Sequence, residues 1–336
     1  MHESFIELKG PLFITGVYRS GTTLISKILD SHADLTIVSD TLHFFRFYLD
    51  KYNQDGATYK RIVSDTAHRL YDRYKIHVPE NDINEYLGRL SEISFRDIYN
   101  TIMIQTFCNG DRNARWGEKS LIQWTNIPLF LHLFPKGQAI HMIRDPRDVL
   151  ASYREMTNES ANKYLDAIFA CLHSMDWASK VGSTLNNKQY LILKHEDLVT
   201  NPNATIHNIC NFLNIQYNEN MTDFSSFRDQ TGNPWESNSA FGDIPNNITA
   251  VSVGRWQQHL KSFEIGLTES IIGNLLETFD YEPSHTKLTR QDLQLMWEHI
   301  HSTPLIQQRL RDWLHTGEGV ESYPSDPTNP THWQSD

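Results

Sequence analysis

Pro11-Leu12-Phe13-Ile14-Thr15-Gly16-Val17-Tyr18-Arg19-Ser20-Gly21-Thr22-Thr23-Leu24-Ile25-Ser26-Lys27-Ile28-Leu29-Asp30 is the stretch from which the rest of the chain can be read. Its first five residues suit a short buried strand, and Leu24, Ile25, Ile28 and Leu29 recur on one helix face, so residues 24–30 are expected to be helical. Between them Gly16 to Thr23 form a glycine-bounded loop. Strand, glycine loop and helix in that order aim backbone N–H groups and the positive end of a helix at one point, which suits a phosphate-like anion. A nucleotide triphosphatase would read G-x-x-x-x-G-K-[ST], the lysine reaching the β- and γ-phosphates and the hydroxyl residue holding magnesium. Here Thr22 stands at the lysine position and the loop's cation is Arg19. The loop can therefore neutralise a terminal anionic group without implying magnesium. The plainer reading is a glycine turn that only joins strand to helix.

A second strand, Gln138-Ala139-Ile140-His141-Met142-Ile143, feeds directly into Arg144-Asp145-Pro146-Arg147-Asp148-Val149-Leu150-Ala151-Ser152. Pro146 suits the first turn of a helix, Asp148 favours its positive end, and Val149, Leu150 and Tyr153 continue an apolar face. Arg144 then falls at the strand's carboxyl end, and Ser152 about two turns further on can face the same crevice. An arginine and a hydroxyl so placed suit a second phosphate. The competing reading is a surface ion pair of Arg144 with Asp145 or Asp148.

Together, the Tyr18 to Thr23 loop and the Arg144–Ser152 pair resemble the two cofactor signatures of the sulfotransferase family, and in particular its bacterial and tyrosylprotein-type branch. These enzymes use 3′-phosphoadenosine 5′-phosphosulfate (PAPS). The resemblance implies that Arg19, Ser20, Gly21, Thr22 and Thr23 hold the 5′-phosphosulfate while Arg144 and Ser152 clamp the 3′-phosphate. Three further segments extend it from about residue 11 to about residue 282. Leu29-Asp30-Ser31-His32-Ala33-Asp34-Leu35 resembles the connection that follows the first loop, with Ala33 in place of a frequent proline. Trp116-Gly117-Glu118-Lys119-Ser120 resembles a G-E-K-[ST] element, and Ser252-Val253-Gly254-Arg255-Trp256 a glycine-basic-tryptophan element that closes over the cofactor. Arg255 and Trp256 thereby join the expected cofactor-binding residues.

The implied fold is α/β, a single domain with a P-loop-like parallel sheet flanked by helices. The sulfotransferase domain is expected over 1–285, with a helical insertion at about 42–110, and a C-terminal helix and loosely held tail over 286–336. Long helices are also read at Ala161 to Val181 and Asn203 to Leu213, a strand at Tyr190 to Lys194, and a polar, lid-like loop from Asp223 to Asn247.

The resemblance also distributes catalytic roles. Arg19 would hold the phosphosulfate and stabilise the bridging oxygen, with Lys119 a second cation. The base is expected shortly after the second strand, where Leu35 to Ser39 are followed by Asp40. The tyrosylprotein branch has a glutamate there, one methylene longer. His43, one helical turn away and naturally closer to neutrality, and Glu118 are the other candidates. Asp40 as the N-cap of a helix beginning near Thr41 is the structural alternative.

Composition sets the outer limits. The chain has 336 residues, with 30 basic against 41 acidic side chains and a formal net charge of -11, which argues against a broad nucleic-acid-binding surface. The charge favours a small alcohol, phenol, sugar or natural-product acceptor over an acidic peptide. Sixteen histidines are scattered and no HExxH occurs, so no metal is expected. Cys108, Cys171 and Cys210 offer neither a disulfide framework nor a zinc site. No basic, apolar leader opens the sequence and no apolar run approaches the ~18–20 residues that span a bilayer, so a cytoplasmic protein is expected. Two other functions compete: a P-loop-type small-molecule kinase, which would need the absent loop lysine, and a non-catalytic binding protein on the same fold.

Overall fold

A computed structural model of the protein describes residues 10–321 apart from 50, 53–57, 157–162, 229–231, 236–240 and 242–246. Five short strands carry the architecture: β1 (Leu12–Gly16), β2 (Leu35–Ser39), β3 (Arg115–Lys119), β4 (Gln138–Ile143) and β5 (Tyr190–Lys194). They form one sheet in the order β2-β3-β1-β4-β5, and every neighbouring pair is parallel. Parallel strands need helical crossovers that cover both faces, which is why β1, β2, β4 and β5 are largely apolar; β3 is buried too, yet carries Arg115, Glu118 and Lys119.

The chain supplies those helices in order. α1 (Thr22–Asp30) joins β1 to β2. α2 (Tyr59–Tyr74), α3 (Glu80–Gly88) and α4 (Phe95–Phe107) fill much of the stretch read as an insertion. α5 (Ile127–Leu133) and α6 (Pro146–Met156) flank β4, and α7 (Asp166–Lys180) leads to β5. Then come α8 (His195–Thr200), α9 (Pro202–Leu213), α10 (Trp256–His259), α11 (Ser262–Ile272) and α12 (Leu275–Thr278). Where one C-terminal helix is expected, α13 (Arg290–His301) and α14 (Pro304–Thr316) pack on α11 and α7. The tail beyond 321, and 13 positions of the Asp223–Asn247 loop, lie outside the described residues.

Side chains alternate between the two faces. On β1 Phe13 enters one apolar cluster with α4, α5 and α7, while Leu12 and Ile14 enter another with Ile25 and Ile28 of α1 and Ile206 and Ile209 of α9. β1 and β4 are neighbours, yet their onward connections leave toward opposite edges of the sheet, β1 to β2 and β4 to β5. Such a switch point opens a crevice at the strands' carboxyl ends. The glycine loop after β1 and Arg144 after β4 both stand there.

An imidazole is among the polar side chains buried in the sheet. His141 on β4 is fully buried, with Nδ1 2.9 Å from the Tyr190 hydroxyl and Nε2 2.8 Å from Ser174 Oγ. Burial pushes its pKa down to about 3. The unfolded chain takes up this proton near pH 6.5 and the folded one does not, so stability declines as pH falls from about 6.5 towards 3, by up to about 1.4 kcal/mol per pH unit from this residue. In denaturant titrations the stability gap between the parent and His141→Gln should shrink by about 2 kcal/mol from pH 7 to pH 5. A constant gap would assign the acid sensitivity to other groups.

Candidate active site

The loop after β1 closes on itself through the Ser20 N–H, which donates to the Val17 carbonyl at 3.1 Å. Arg19 and Gly21 take left-handed backbone conformations, with φ of 65° and 96°. At Gly21 the requirement is also steric, because a Cβ there would stand 2.4 Å from His195 Nδ1. α1 begins with no side-chain cap, as suits a helix whose first N–H groups are kept for an anion.

On the β4 side, Arg144 reaches across the crevice. Its Nη1 donates to the Arg19 carbonyl at 2.8 Å and its Nη2 to the Ser252 carbonyl at 2.7 Å, so one guanidinium ties the loop to the segment before α10. Arg19 Nε donates to Ser152 Oγ at 2.9 Å. Arg19, Arg144 and Ser152, 133 residues apart at the extremes, are thus in one cluster. The ion-pair alternative belongs to another residue: Arg147, not Arg144, binds Asp145 at 2.8 Å and Glu269 at 2.6 Å. Asp148 accepts the Gly254 N–H at 2.7 Å and the Trp256 N–H at 2.9 Å. Arg147 lies 4.1 Å from the Trp256 ring centroid, so the tryptophan is clamped from both ends. Arg255 Nε donates to the Val251 carbonyl at 2.7 Å, and its guanidinium lies 4.5 Å from the Phe241 ring centroid. With Val251, Val253, Gly254, Gln258 and His259, these two line an open pocket of about 400 Å³.

Sequence reasoning missed His195. It opens α8 directly after β5, level with Arg144 after β4, and that position at the sheet's carboxyl edge was the available signal. Its Nε2 lies 2.8 Å from Ser252 Oγ, while the buried Nδ1 finds no partner among the described residues. Burial, reinforced by Arg144 and Arg19, holds its pKa well below the ordinary histidine range. Arg144 Nε is likewise buried and unpartnered. Burial and then Arg144 lower Arg19 to about 10, which leaves it cationic at neutral pH.

A second cluster occupies the ends of β2 and β3. The Lys119 ammonium, almost fully buried, is paired with the Asp40 carboxylate and lies 3.4 Å from Thr23 Oγ1 of the loop. Asp40 Oδ1 has no partner among the described residues. His43 Nδ1 lies 2.9 Å from Ser120 Oγ, and burial pushes this ring down to about 3, so it is neutral at physiological pH. Glu118 stands behind these groups, fully buried, accepting from the Phe44 N–H at 3.3 Å and from the Tyr99 hydroxyl. Burial pushes Glu118 up to about 7. Asp40 caps no α-helix: it sits at φ 49° and the helical turn that follows, Phe45–Leu49, is a π-turn. His43 at φ 48° and Ile122, just past β3, at φ 53° are also left-handed. Such residues cost on the order of 1–3 kcal/mol each and gather where a fold over-determines them, commonly at functional sites.

The family model described as "Sulfotransferase family" matches residues 11–219, well over half of the chain. A putative protein-tyrosine sulfotransferase of Caenorhabditis briggsae is 27% identical over 223 residues, covering 62% of this chain and 67% of that protein. A 3-beta-hydroxysteroid sulfotransferase of Cavia porcellus is 27% identical over 163 residues, covering 38% and 54%. The chain thus spans from about half to two thirds of the length of these curated relatives. Among solved structures, a sulfotransferase domain from the Synechococcus olefin synthase shares the fold at a TM-score of 0.53 and 23% identity, over 82% of this chain and 96% of that one.

The contact between Gly21 and His195 gives a direct test of the loop. Gly21→Ala should lower unfolding stability by about 2 kcal/mol, from the left-handed backbone and the clash together. Adding His195→Ala should return the steric part only. A denaturation midpoint unchanged in Gly21→Ala would mean that the loop is not fixed by this contact.

Proposed function

The chain belongs to the sulfotransferase family, and we propose that it transfers a sulfuryl group from PAPS, that Asp40 is its base with Lys119 as the second cation beside it, that Arg19 acts on the transferred group, and that its acceptor is a hydroxyl-bearing small molecule or glycan. The observation that carries the residue assignment is the Asp40–Lys119 pair beside Thr23, which joins a carboxylate and a buried cation to the glycine loop. Thr22 in place of the loop lysine agrees with the family against the kinase alternative.

The nucleotide side fits a donor with two anionic ends. Arg144 Nε and His195 Nδ1 are buried polar atoms without partners among the described residues, and the hydrogen bonds Arg144 does make go to carbonyl oxygens. Arg19, Ser20, Gly21, Thr22 and Thr23 would hold the 5′-phosphosulfate; Arg144, Ser152, Arg255 and Trp256 would hold the 3′-phosphate and adenosine end. PAPS, when bound, supplies the electrophilic sulfuryl group and a phosphate leaving group. Asp40 takes the proton from the acceptor hydroxyl, Lys119 orients that carboxylate, and Arg19 offers the charge that a developing anionic oxygen needs. His43 held neutral by burial, with Nδ1 engaged by Ser120, is a poorer proton acceptor than a carboxylate with one buried oxygen unpartnered among the described residues.

A peptide tyrosine acceptor is the second reading, favoured by relatives whose names are protein-tyrosine sulfotransferases. The net charge of -11 supports the small-molecule reading and argues against nucleic acid as a partner. No described helix is long and apolar enough to cross a membrane. Three buried free thiols support a reducing, cytoplasmic setting.

Asp40→Asn should lower turnover by about 100-fold or more while the Kd for 3′,5′-bisphosphoadenosine stays within about threefold. Labelled-sulfate transfer and calorimetry read the two quantities. Retained turnover would move the role to His43 or Glu118. In thermal shifts the bisphosphate should stabilise the protein more than AMP, ADP or ATP with magnesium, and a preference for ATP with magnesium would overturn the assignment of both anionic sites.

A further inference from the structure

The turn that carries Asp40 is only partly held by its own backbone. Residues 40–44 include two left-handed residues; the Asp40 N–H donates to the Lys119 carbonyl at 3.0 Å and the His43 carbonyl accepts from the Phe47 N–H at 3.0 Å, while other backbone groups are taken by side chains from elsewhere. The Asp40 carbonyl accepts from the Tyr74 hydroxyl at 2.8 Å. The Thr41 carbonyl accepts from Arg69 Nη1 at 2.9 Å, and the Leu42 carbonyl from Arg69 Nη2. Glu118 takes the Phe44 N–H from the far side. Arg69 and Tyr74 both belong to α2, one on its body and one at its end. Arg69 is buried, and its guanidinium lies 3.9 Å from the Phe47 ring centroid, which fixes the plane of the fork.

We propose that Arg69 is a positioning residue for sulfuryl transfer: one rigid guanidinium holds two successive carbonyls of the 40–44 turn, next to the Asp40 carbonyl that Tyr74 holds, and so keeps the Asp40 carboxylate aimed at Lys119 and the glycine loop. The argument rests on the reading of Asp40 as the base. Arg69 does not reach the glycine loop in any contact described; its charge also lowers the pKa of His43 and of Glu118, which is why the uncharged Tyr74 serves as the second probe of the turn. A lysine at 69 has one point donor and cannot reproduce a planar fork across two carbonyls. Misplacement of a catalytic group by about 1 Å can lower a rate by up to about 100-fold.

The test compares Arg69→Gln, Arg69→Lys and Tyr74→Phe in the full chain, each alone and combined with Asp40→Asn. Arg69→Gln should lower kcat roughly 30-fold with the 3′,5′-bisphosphoadenosine Kd and the acceptor KM within about threefold. Arg69→Lys should recover less than about a tenth of that loss, and Tyr74→Phe, which deletes only a hydroxyl, should lower kcat by about three- to tenfold. On an Asp40→Asn background neither Arg69→Gln nor Tyr74→Phe should reduce the residual rate further. If Arg69→Gln fails to fold, the Tyr74→Phe cycle decides alone. A kcat within twofold of the parent, or effects that multiply with Asp40→Asn, would overturn the positioning role and leave Asp40 as the base. Full turnover in Asp40→Asn itself would overturn both.

Discussion

Arg144 is the residue on which the crevice between β1 and β4 depends. Burying a guanidinium costs several kcal/mol unless its donors are matched, and a fold usually matches them with carboxylates. Arg147, three residues on, follows that rule with Asp145 and Glu269, and is structural. Arg144 instead meets two carbonyl oxygens, on Arg19 and on Ser252. Carbonyls satisfy N–H groups without cancelling charge. The charge of Arg144 registers in its neighbours: Arg19 and His195 are pushed toward their neutral forms in part by it, and the carboxyls of Asp148 and Glu196, raised by burial, are drawn back toward ionisation by it.

The acceptor side follows a different rule. Here Lys119 is matched with Asp40, while the buried Arg69, like Arg144, donates to carbonyls, and what the fold maintains is backbone shape. Three successive strand ends, after β1, β2 and β3, each pass into a left-handed residue that is not glycine: Arg19, Asp40 and Ile122. Ile122 is the most costly of these, being β-branched, and its N–H is held by the Gly16 carbonyl at 3.1 Å. The helices α2 and α4 contribute Arg69, Tyr74 and Tyr99 as braces behind the site. That gives the insertion a role in shaping the turn as well as in covering the sheet.

Much of this was legible in the sequence because it is local. Buried parallel strands announce themselves as apolar runs, and β4 and α6 begin at the residues where Gln138 and Pro146 place them. The glycine loop is a contiguous string, and counting from it locates Asp40. What escaped was set by distance along the chain. His195 carries no pattern of its own and matters only because β5 delivers it beneath Gly21. Asp148 suggests a helix-dipole partner from its position in α6, yet it serves as the anchor for two amides more than 100 residues away. The break between α13 and α14 was readable from Thr303-Pro304, where a proline ends one helix and opens another.

The left-handed turn restricts which residues this site can accept at all. Asparagine, aspartate and histidine are the non-glycine residues that enter that region of backbone space most readily. Asp40 and His43 both come from that short alphabet. Among its members aspartate alone offers a carboxylate, so a longer acidic side chain would bring reach at the expense of backbone fit. The shorter carboxylate is then as much a choice made by the peptide's chirality as by any chemistry, and substitutions that drift into position 40 are filtered by conformation first.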